Sequence, residues 1–144
     1  MNLPDVNLLL YALDTSSPRH DVARRWLEDQ LSGTEPVAFA WVVLLAFVRL
    51  ATQARVFAHP LTAEEALDVV DGWLAQPSAT VVHPSERHPT RLRSLLTAAG
   101  TAGNLTTDAH LAALAIEHGA LLCSCDADFS RFAGLRWNDP LRAD

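Results

Sequence analysis

Short apolar runs alternate with longer segments of helical spacing along this chain. Strands are predicted for the N-terminal residues up to Pro4 and for residues 37–39, 79–83, 120–124 and 131–137, because these runs are bounded by turn-forming or acidic residues. Helices are predicted from Asn7 onward and at residues 20–31, 41–53, 62–76, 85–100 and 106–119, where apolar residues recur every three or four positions. Strands that alternate with helices predict an α/β fold with a parallel sheet.

The segment 104–129 contains the clearest of these signals. Thr106 and Thr107 are good N-cap residues, and Asp108 in the first turn complements the positive end of the helix dipole. Gly119 is typical of a helix stop, and a short apolar strand follows it. The prediction is a helix that begins at Thr106 or Thr107 and leads into a buried strand.

Acidic residues stand where the predicted elements change. Asp5 follows the first strand, Asp126 follows the strand at 120–124, and Asp108 opens the helix between them. Strand carboxyl ends and helix N-termini meet at one edge of a parallel sheet, so these three carboxylates are expected to lie together. Taken singly, Asp108 is more often a helix-start residue and Asp126 or Asp128 a turn residue, so the prediction depends on the combination.

A cluster of carboxylates predicts a bound cation. Like charges at close range are unfavourable unless a cation neutralises them, and carboxylate oxygens favour Mg²⁺ or Mn²⁺. This arrangement requires Pro4 to be the last residue of its strand, because proline has no N–H to donate within a central ladder.

Composition is that of a globular protein. Hydrophobic residues make up 49% of the 144 positions and charged residues only 19%, which argues against disorder, and this length suits one domain spanning residues 1–144. The apolar stretch 37–50 is too short to span a bilayer comfortably, and the N-terminus lacks a basic signal-peptide segment. We therefore expect a cytoplasmic protein with no membrane association, in which Cys123 and Cys125 are reduced structural thiols.

The formal net charge of −6 argues against nucleic-acid binding by bulk electrostatics, although it leaves room for a local basic patch. All eleven basic residues are arginine, a side chain suited to bidentate phosphate contacts.

Several other enzyme classes lack their motifs. The six histidines form no HxxxH or HxxEH pattern, which argues against a zinc hydrolase. Neither GxGxxG nor GxxxxGK occurs, which argues against a nucleotide cofactor, and no serine lies in a GxSxG motif.

Three segments together resemble PIN-domain ribonucleases of the VapC toxin type. They are DxN at residues 5–7, TDAHLAALAIEHGA at 107–120 and CDADF at 125–129. The segments AWVVLLAFVRLAT and GLRW resemble one branch of these toxins. The resemblance covers essentially the whole chain and implies a PIN-like three-layer fold with a central parallel sheet flanked by helices. It also implies Mg²⁺-dependent endonucleolytic cleavage of RNA, a cognate VapB-like antitoxin and a homodimer.

Carried over by position, the resemblance assigns the catalytic and metal-binding roles to Asp5, Asp108 and Asp126, with Asn7 and Asp128 in support. This sequence departs from the family at one place, because many PIN nucleases carry a glutamate in the mid-chain helix about where this chain has Ala46. No carboxylate occurs anywhere in residues 37–60, which leaves the metal site one charge short.

Two groups of residues have alternative roles. Arg49 and Arg55 are candidates for RNA phosphate contacts, and contacts to a second subunit or to the antitoxin are an equal alternative. The apolar helix at 41–53 and the face of Trp26 are candidates for dimer or antitoxin burial, with ordinary core packing as the alternative.

Two other functions compete with the nuclease. One is a PIN-like domain that has lost catalysis with its mid-chain acid and acts by binding RNA or a partner protein. The other is a phospho-acceptor receiver domain, which also places acids beyond parallel strands but requires a lysine that this sequence lacks.

Overall fold

The computed structural model describes residues 1–142 and contains one central sheet. Five parallel strands form it: β1 (Asn2–Pro4), β2 (Val37–Phe39), β3 (Ala79–Val81), β4 (Leu121–Cys123) and β5 (Trp137–Asn138). Their order across the sheet is β3-β2-β1-β4-β5. Strands β2 and β3 lie in sequence on one side of β1, whereas β4 and β5 lie on the other side of β1. The strand order therefore reverses between β1 and β4. Ligands of open α/β sheets bind at such a reversal, beyond the strands' carboxyl ends.

Helices flank this sheet, as predicted. Within residues 1–142 they are α1 (Val6–Leu13), α2 (His20–Ser32), α3 (Trp41–Ala51), α4 (Ala63–Leu74), α5 (His88–Ala99) and α6 (Thr106–Glu117). Helix α1 packs against α2 and α3, while α5 packs against α6. The predicted α/β fold with a central parallel sheet flanked by helices is confirmed. None of the helices in this part of the chain combines the length and apolar character that crossing a bilayer requires.

Pro4 is the last residue of β1, as the sequence requires. It pairs with Cys123 at the end of β4, and the N–H of the next residue, Asp5, donates to the Cys123 carbonyl at 2.9 Å. The two central strands thus end level with each other, and the residues that follow them emerge side by side.

The aromatic core holds α3 and α4 on the sheet. Trp73 of α4 stacks on Phe39 of β2 with ring centroids 6.1 Å apart, and Phe47 of α3 meets the same indole edge-on at 4.7 Å. The start of α4 matches its prediction, because Thr62 and Glu65 form both hydrogen bonds of a capping box, at 3.1 and 3.0 Å.

Helix α6 begins at Thr106, as predicted, but the residue that caps it differs from the prediction. A 3-10 helix, Gly103–Leu105, runs directly into α6, so Thr106 already has helical dihedral angles (φ −60°, ψ −48°). The N-cap is Leu105, and the predicted cap role of Thr106 and Thr107 is wrong because both lie inside the helix. Asp108 nevertheless occupies the first turn, and Gly119 ends the helix region with φ +62°, as predicted.

Two other predicted boundaries are also wrong. Helix α5 begins at His88 rather than at residue 85, because Ser85 binds the carboxylate of Glu117 through its N–H and hydroxyl instead of starting the helix. The predicted edge strand at 131–137 is mostly not a strand. A 3-10 helix, Ala127–Arg131, occupies its start, and only Trp137–Asn138 pairs with β4.

Candidate active site

The ends of β1, β4 and α6 bring the predicted acids to one edge of the sheet. Asp5 follows Pro4 directly and is the N-cap of α1. Asp126 lies three residues beyond β4, and Asp108 lies in the first turn of α6. The negative charges of Asp5, Asp126 and Asp128 all raise the pKa of Asp108, so the four carboxylates share one electrostatic environment.

Asp5 is held by one hydrogen bond to each oxygen. The N–H of Val6 donates to Oδ1 at 2.7 Å, and the hydroxyl of Ser124 donates to Oδ2 at 2.8 Å. Burial raises the pKa of Asp5, the bonds from Ser124 and Val6 oppose that rise, and the charge of Asp126 adds to it. Two hydrogen bonds leave further lone pairs on this carboxylate for a cation.

Ser124 joins the predicted site residues, and the sequence pattern alone did not mark it as functional. Its side chain is fully buried, and its oxygen accepts from Asn7 Nδ2 and from the N–H of Asp126, each at 3.0 Å, while it donates to Asp5. One hydroxyl offers one donor and two acceptor positions, so all three are used. Asn7 therefore supports Asp5 through Ser124 rather than directly. The available signal was a polar residue at the end of an apolar run, just before the acids.

Asp126 and Asp128 shape the turn beyond β4. Asp126 caps the 3-10 helix Ala127–Arg131, and its Oδ1 accepts from the N–H of Asp128 at 2.9 Å. Asp128 itself is exposed. The hydrogen bond within this turn thus fixes the orientation of the Asp126 carboxylate. Asp128 adds negative charge at the outer rim of the site.

Asp108 is the most perturbed of the acids. Burial and then the charges of Asp5, Asp126 and Asp128 raise its pKa from an ordinary 3.8 to about 6. Its carboxylate has no hydrogen-bond partner among the described residues, in contrast to Asp5 and Asp126. A carboxylate in this position is stabilised in its ionised form by a nearby cation.

The donor set fits a hard divalent cation bound partly through water. All the acids offer oxygen ligands, and their mutual repulsion is the kind that such a cation relieves. In residues 1–142, no three His, Cys, Asp or Glu side chains converge closely enough to enclose an ion. Mg²⁺ does not require such a cage, because it usually retains several waters and binds one or two carboxylates directly.

A cavity of about 240 Å³ opens beside these acids. Asp5 and Asp108 line it together with Ala46 and Arg49 of α3, and the rest of its wall is mostly apolar. Ala46 therefore occupies the wall of the same cavity as the two carboxylates. Arg55 does not line this cavity, and its Nε donates to Gln53 at 3.1 Å.

The two cysteine thiols are not ionised at neutral pH. Burial raises the pKa of the Cys123 thiol to about 12, and burial with the neighbouring Asp139 raises that of Cys125 to about 11. Both are free thiols and remain protonated at neutral pH, so neither is an activated nucleophile.

Comparison with known proteins identifies the family. The sequence profile of the PIN domain matches residues 3–135. Ribonuclease VapC37 of Mycobacterium tuberculosis is 53% identical over 140 residues, with 97% of each chain covered. Among solved structures, VapBC2 from Rickettsia felis bound to a promoter DNA fragment has a TM-score of 0.70 at 19% identity, covering 96% of this chain and 97% of that one.

A second solved structure is VapC20 of Mycobacterium tuberculosis, described as a sarcin-ricin loop cleaving toxin. It has a TM-score of 0.68 at 19% identity and covers 94% of this chain and 99% of that one. At such identities the structural likeness shows the fold, and the sequence matches show the family. The chain therefore belongs to the PIN-domain family, among its VapC-type nucleases.

Proposed function

We propose that this chain, acting as one PIN domain, is the endoribonuclease toxin of a toxin–antitoxin pair and cleaves RNA in the cytoplasm with Mg²⁺. The observation that supports it best is the gathering of Asp5, Asp108, Asp126 and Asp128 at the strand reversal between β1 and β4. The naming of its relatives as ribonucleases and the VapBC assemblies among its structural neighbours agree with this proposal.

In this proposal Asp5, Asp108 and Asp126 hold the cation, Mg²⁺ or alternatively Mn²⁺, partly through its bound waters, and Asp128 supports them. A bound divalent ion would supply an activated water and neutralise charge on the phosphodiester. Ser124 and the Val6 N–H fix the orientation of the Asp5 carboxylate, and Asn7 fixes Ser124. The residues of the chain thus preorganise the oxygen ligands before RNA arrives.

Arg49 is the proposed phosphate contact at the acids. It lines the cavity that contains Asp5 and Asp108, where a guanidinium offsets their charge towards an incoming phosphodiester. Arg55 lies outside that cavity, so its proposed contact is with a phosphate further along the RNA.

An antitoxin of the VapB type and a second copy of the chain are the proposed protein partners. Helix α3 buries Val43, Leu44 and Phe47, yet Trp41 and Leu45, one turn apart, are 45% and 62% exposed. We propose that this exposed apolar pair is buried in the assembly. Leu45→Glu should then weaken either dimerisation or antitoxin binding, as measured by light scattering and by co-purification.

The direct test is cleavage of RNA by the purified chain, freed of partner, with Mg²⁺, with Mn²⁺ and with chelator. Asp5→Asn is the decisive variant, because a contaminating nuclease would survive it. Asp68→Asn, an exposed acid on α4, is the matched control. Metal-dependent cleavage by wild type and Asp68→Asn but not by Asp5→Asn is the expected result. Equal cleavage by Asp5→Asn would remove the site assignment.

The position of Ala46 favours a second candidate function. With an uncharged side chain in the wall of the acidic cavity, the chain has one carboxylate fewer to hold a cation. A PIN-like domain that binds RNA or a partner without turnover would show RNA binding that is insensitive to chelator and no metal-dependent cleavage.

A further inference from the structure

Helix α5 presents a face made of hydrogen-bond donors. Arg87, Thr90, Arg91 and Ser94 follow one another at i, i+3, i+4 and i+7 and line a surface depression of about 440 Å³. We call these four residues the α5 donor face. Two guanidinium groups and two hydroxyls surround the depression, and no carboxylate from residues 1–142 lines it.

The arginines of this face are not used in ion pairs. Within residues 1–142, the only ion pair made by an arginine joins Arg24 to Glu28. Arg91 is half-buried, and its enclosed Nε has no hydrogen-bond partner among the described residues. A guanidinium held in place by packing and lacking an acidic partner loses little freedom when an anion docks.

Glu117, a buried carboxylate beside these arginines, already has hydrogen-bond partners. Arg87 and Arg91 also border a second depression of about 450 Å³, which Glu86 and Glu117 line as well. The Glu117 side chain is only 3% exposed and accepts from the N–H and hydroxyl of Ser85, at 2.8 and 2.6 Å. Its other oxygen lies 2.6 Å from Nδ1 of His88. Both Glu117 oxygens thus have hydrogen-bond partners in Ser85 and His88 rather than in the α5 donor face.

The start of α5 packs against α6, the helix that carries Asp108. His88, at the start of α5, contacts Glu117 at the last residue of α6 and His110 at 2.8 Å. Asp108 is nine residues before Glu117, about 13 Å along a helix that rises 1.5 Å per residue. That separation corresponds to about four nucleotides of a strand stacked at the duplex spacing of 3.4 Å each.

Resting on the proposed function, we propose that the α5 donor face binds a phosphodiester of the RNA strand several nucleotides from the one held at the carboxylates. A chain of net charge −6 repels a polyanion overall, so it needs a local surface of donors without acids. Guanidinium forks and hydroxyls match phosphate oxygens in geometry as well as in charge. An acidic segment of a partner protein is the competing occupant.

The test measures RNA binding by the full chain in the uncleaving Asp5→Asn background. A fluorescent 20-nucleotide single-stranded RNA and a four-nucleotide RNA are titrated at several salt concentrations. The test variant is Arg87→Gln with Arg91→Gln. The matched control is Arg25→Gln with Arg93→Gln, two exposed arginines outside this face with the same change in charge.

For the long RNA, we expect the slope of log K against log salt to fall by about 0.7 for each phosphate that an arginine no longer neutralises, so by about 1.4 in the test variant. The control should keep the wild-type slope, and the four-nucleotide RNA should bind all three proteins alike. Equal slopes in test and control variants would overturn the proposal, as would no salt-dependent binding of RNA.

Two further measurements distinguish this proposal from protein docking at the same surface and from failure of the nuclease assignment. If the test variant keeps its RNA slope but no longer binds antitoxin, the surface is a protein-docking site and the proposal fails. Cleavage by the chain without the Asp5 change is measured in parallel, so loss of the nuclease assignment is read independently of the binding slopes.

Discussion

Asp108→Asn should make the metal-free protein more stable while removing its activity. Asp108 has a pKa of about 6 in the folded chain against an ordinary 3.8, a difference that corresponds to about 3 kcal/mol at most. The side chain is partly solvated, so screening reduces this to about 1–2 kcal/mol. Loss of the acid's interaction with the α6 dipole removes about 0.5 kcal/mol. The expected net gain is about 1 kcal/mol at neutral pH.

The sign follows from proton linkage. Because the pKa of Asp108 is raised on folding, the folded state binds the proton more tightly, and that stabilisation is complete below about pH 3.8. It is lost as the pH rises through about 6. The advantage of Asp108→Asn over wild type should therefore be full at about pH 7.5 and close to zero at about pH 4.

Urea unfolding with chelator at these two pH values measures the effect, with Asp68→Asn as the control expected to change stability by less than about 0.5 kcal/mol. Added Mg²⁺ should reverse the order at about pH 7.5, since a cation that binds the folded wild type stabilises it by mass action. A pH-independent effect, or one equal to that of Asp68→Asn, would refute the assignment of Asp108 to a crowded acid cluster.

Three other substitutions test contacts seen in the structure. Ser124→Ala should lower the free energy of urea unfolding by about 2–4 kcal/mol, because it removes three hydrogen bonds at a buried position. The control, Ser130→Ala at an exposed position, should change this free energy little. Glu117→Gln should cost about 1–3 kcal/mol at neutral pH. Although burial raises the Glu117 pKa, bonds from Ser85 and His88 lower it below its ordinary 4.5, so this difference should shrink as unfolding is repeated under acid conditions. Thr62→Ala should lower the thermal midpoint through a loss of about 1 kcal/mol at the α4 capping box.

The parts of the site that follow from the sequence are those fixed by local signals. Pro4 can close a central strand only at its last residue, which places Asp5 at the strand end. Gly119, at positive φ, terminates the helical region just after α6. The apolar run that follows is buried as a strand of the sheet. These neighbours in sequence determine where Asp5, Asp108 and Asp126 emerge.

The parts that the sequence did not reveal depend on contacts between distant segments. Ser124 bonds to Asp5 and Asn7 across 119 and 117 positions, so its role exists only once β1 and β4 lie side by side. The contact between His88 and His110 likewise depends on how α5 packs against α6. A search for histidine pairs within one helix cannot detect a pair divided between two.

The uncharged wall of the acidic cavity also follows from such packing, and it affects the chemistry of the acids. Each carboxylate added near Asp108 raises its pKa further, because like charges disfavour ionisation. Ala46 adds no such charge to the cavity wall, so the rise in the Asp108 pKa to about 6 comes from burial and from Asp5, Asp126 and Asp128. With a pKa of about 6, Asp108 is mostly ionised at neutral pH. In the proposed site, the missing glutamate thus removes one ligand and, with it, one charge that would repel the other acids.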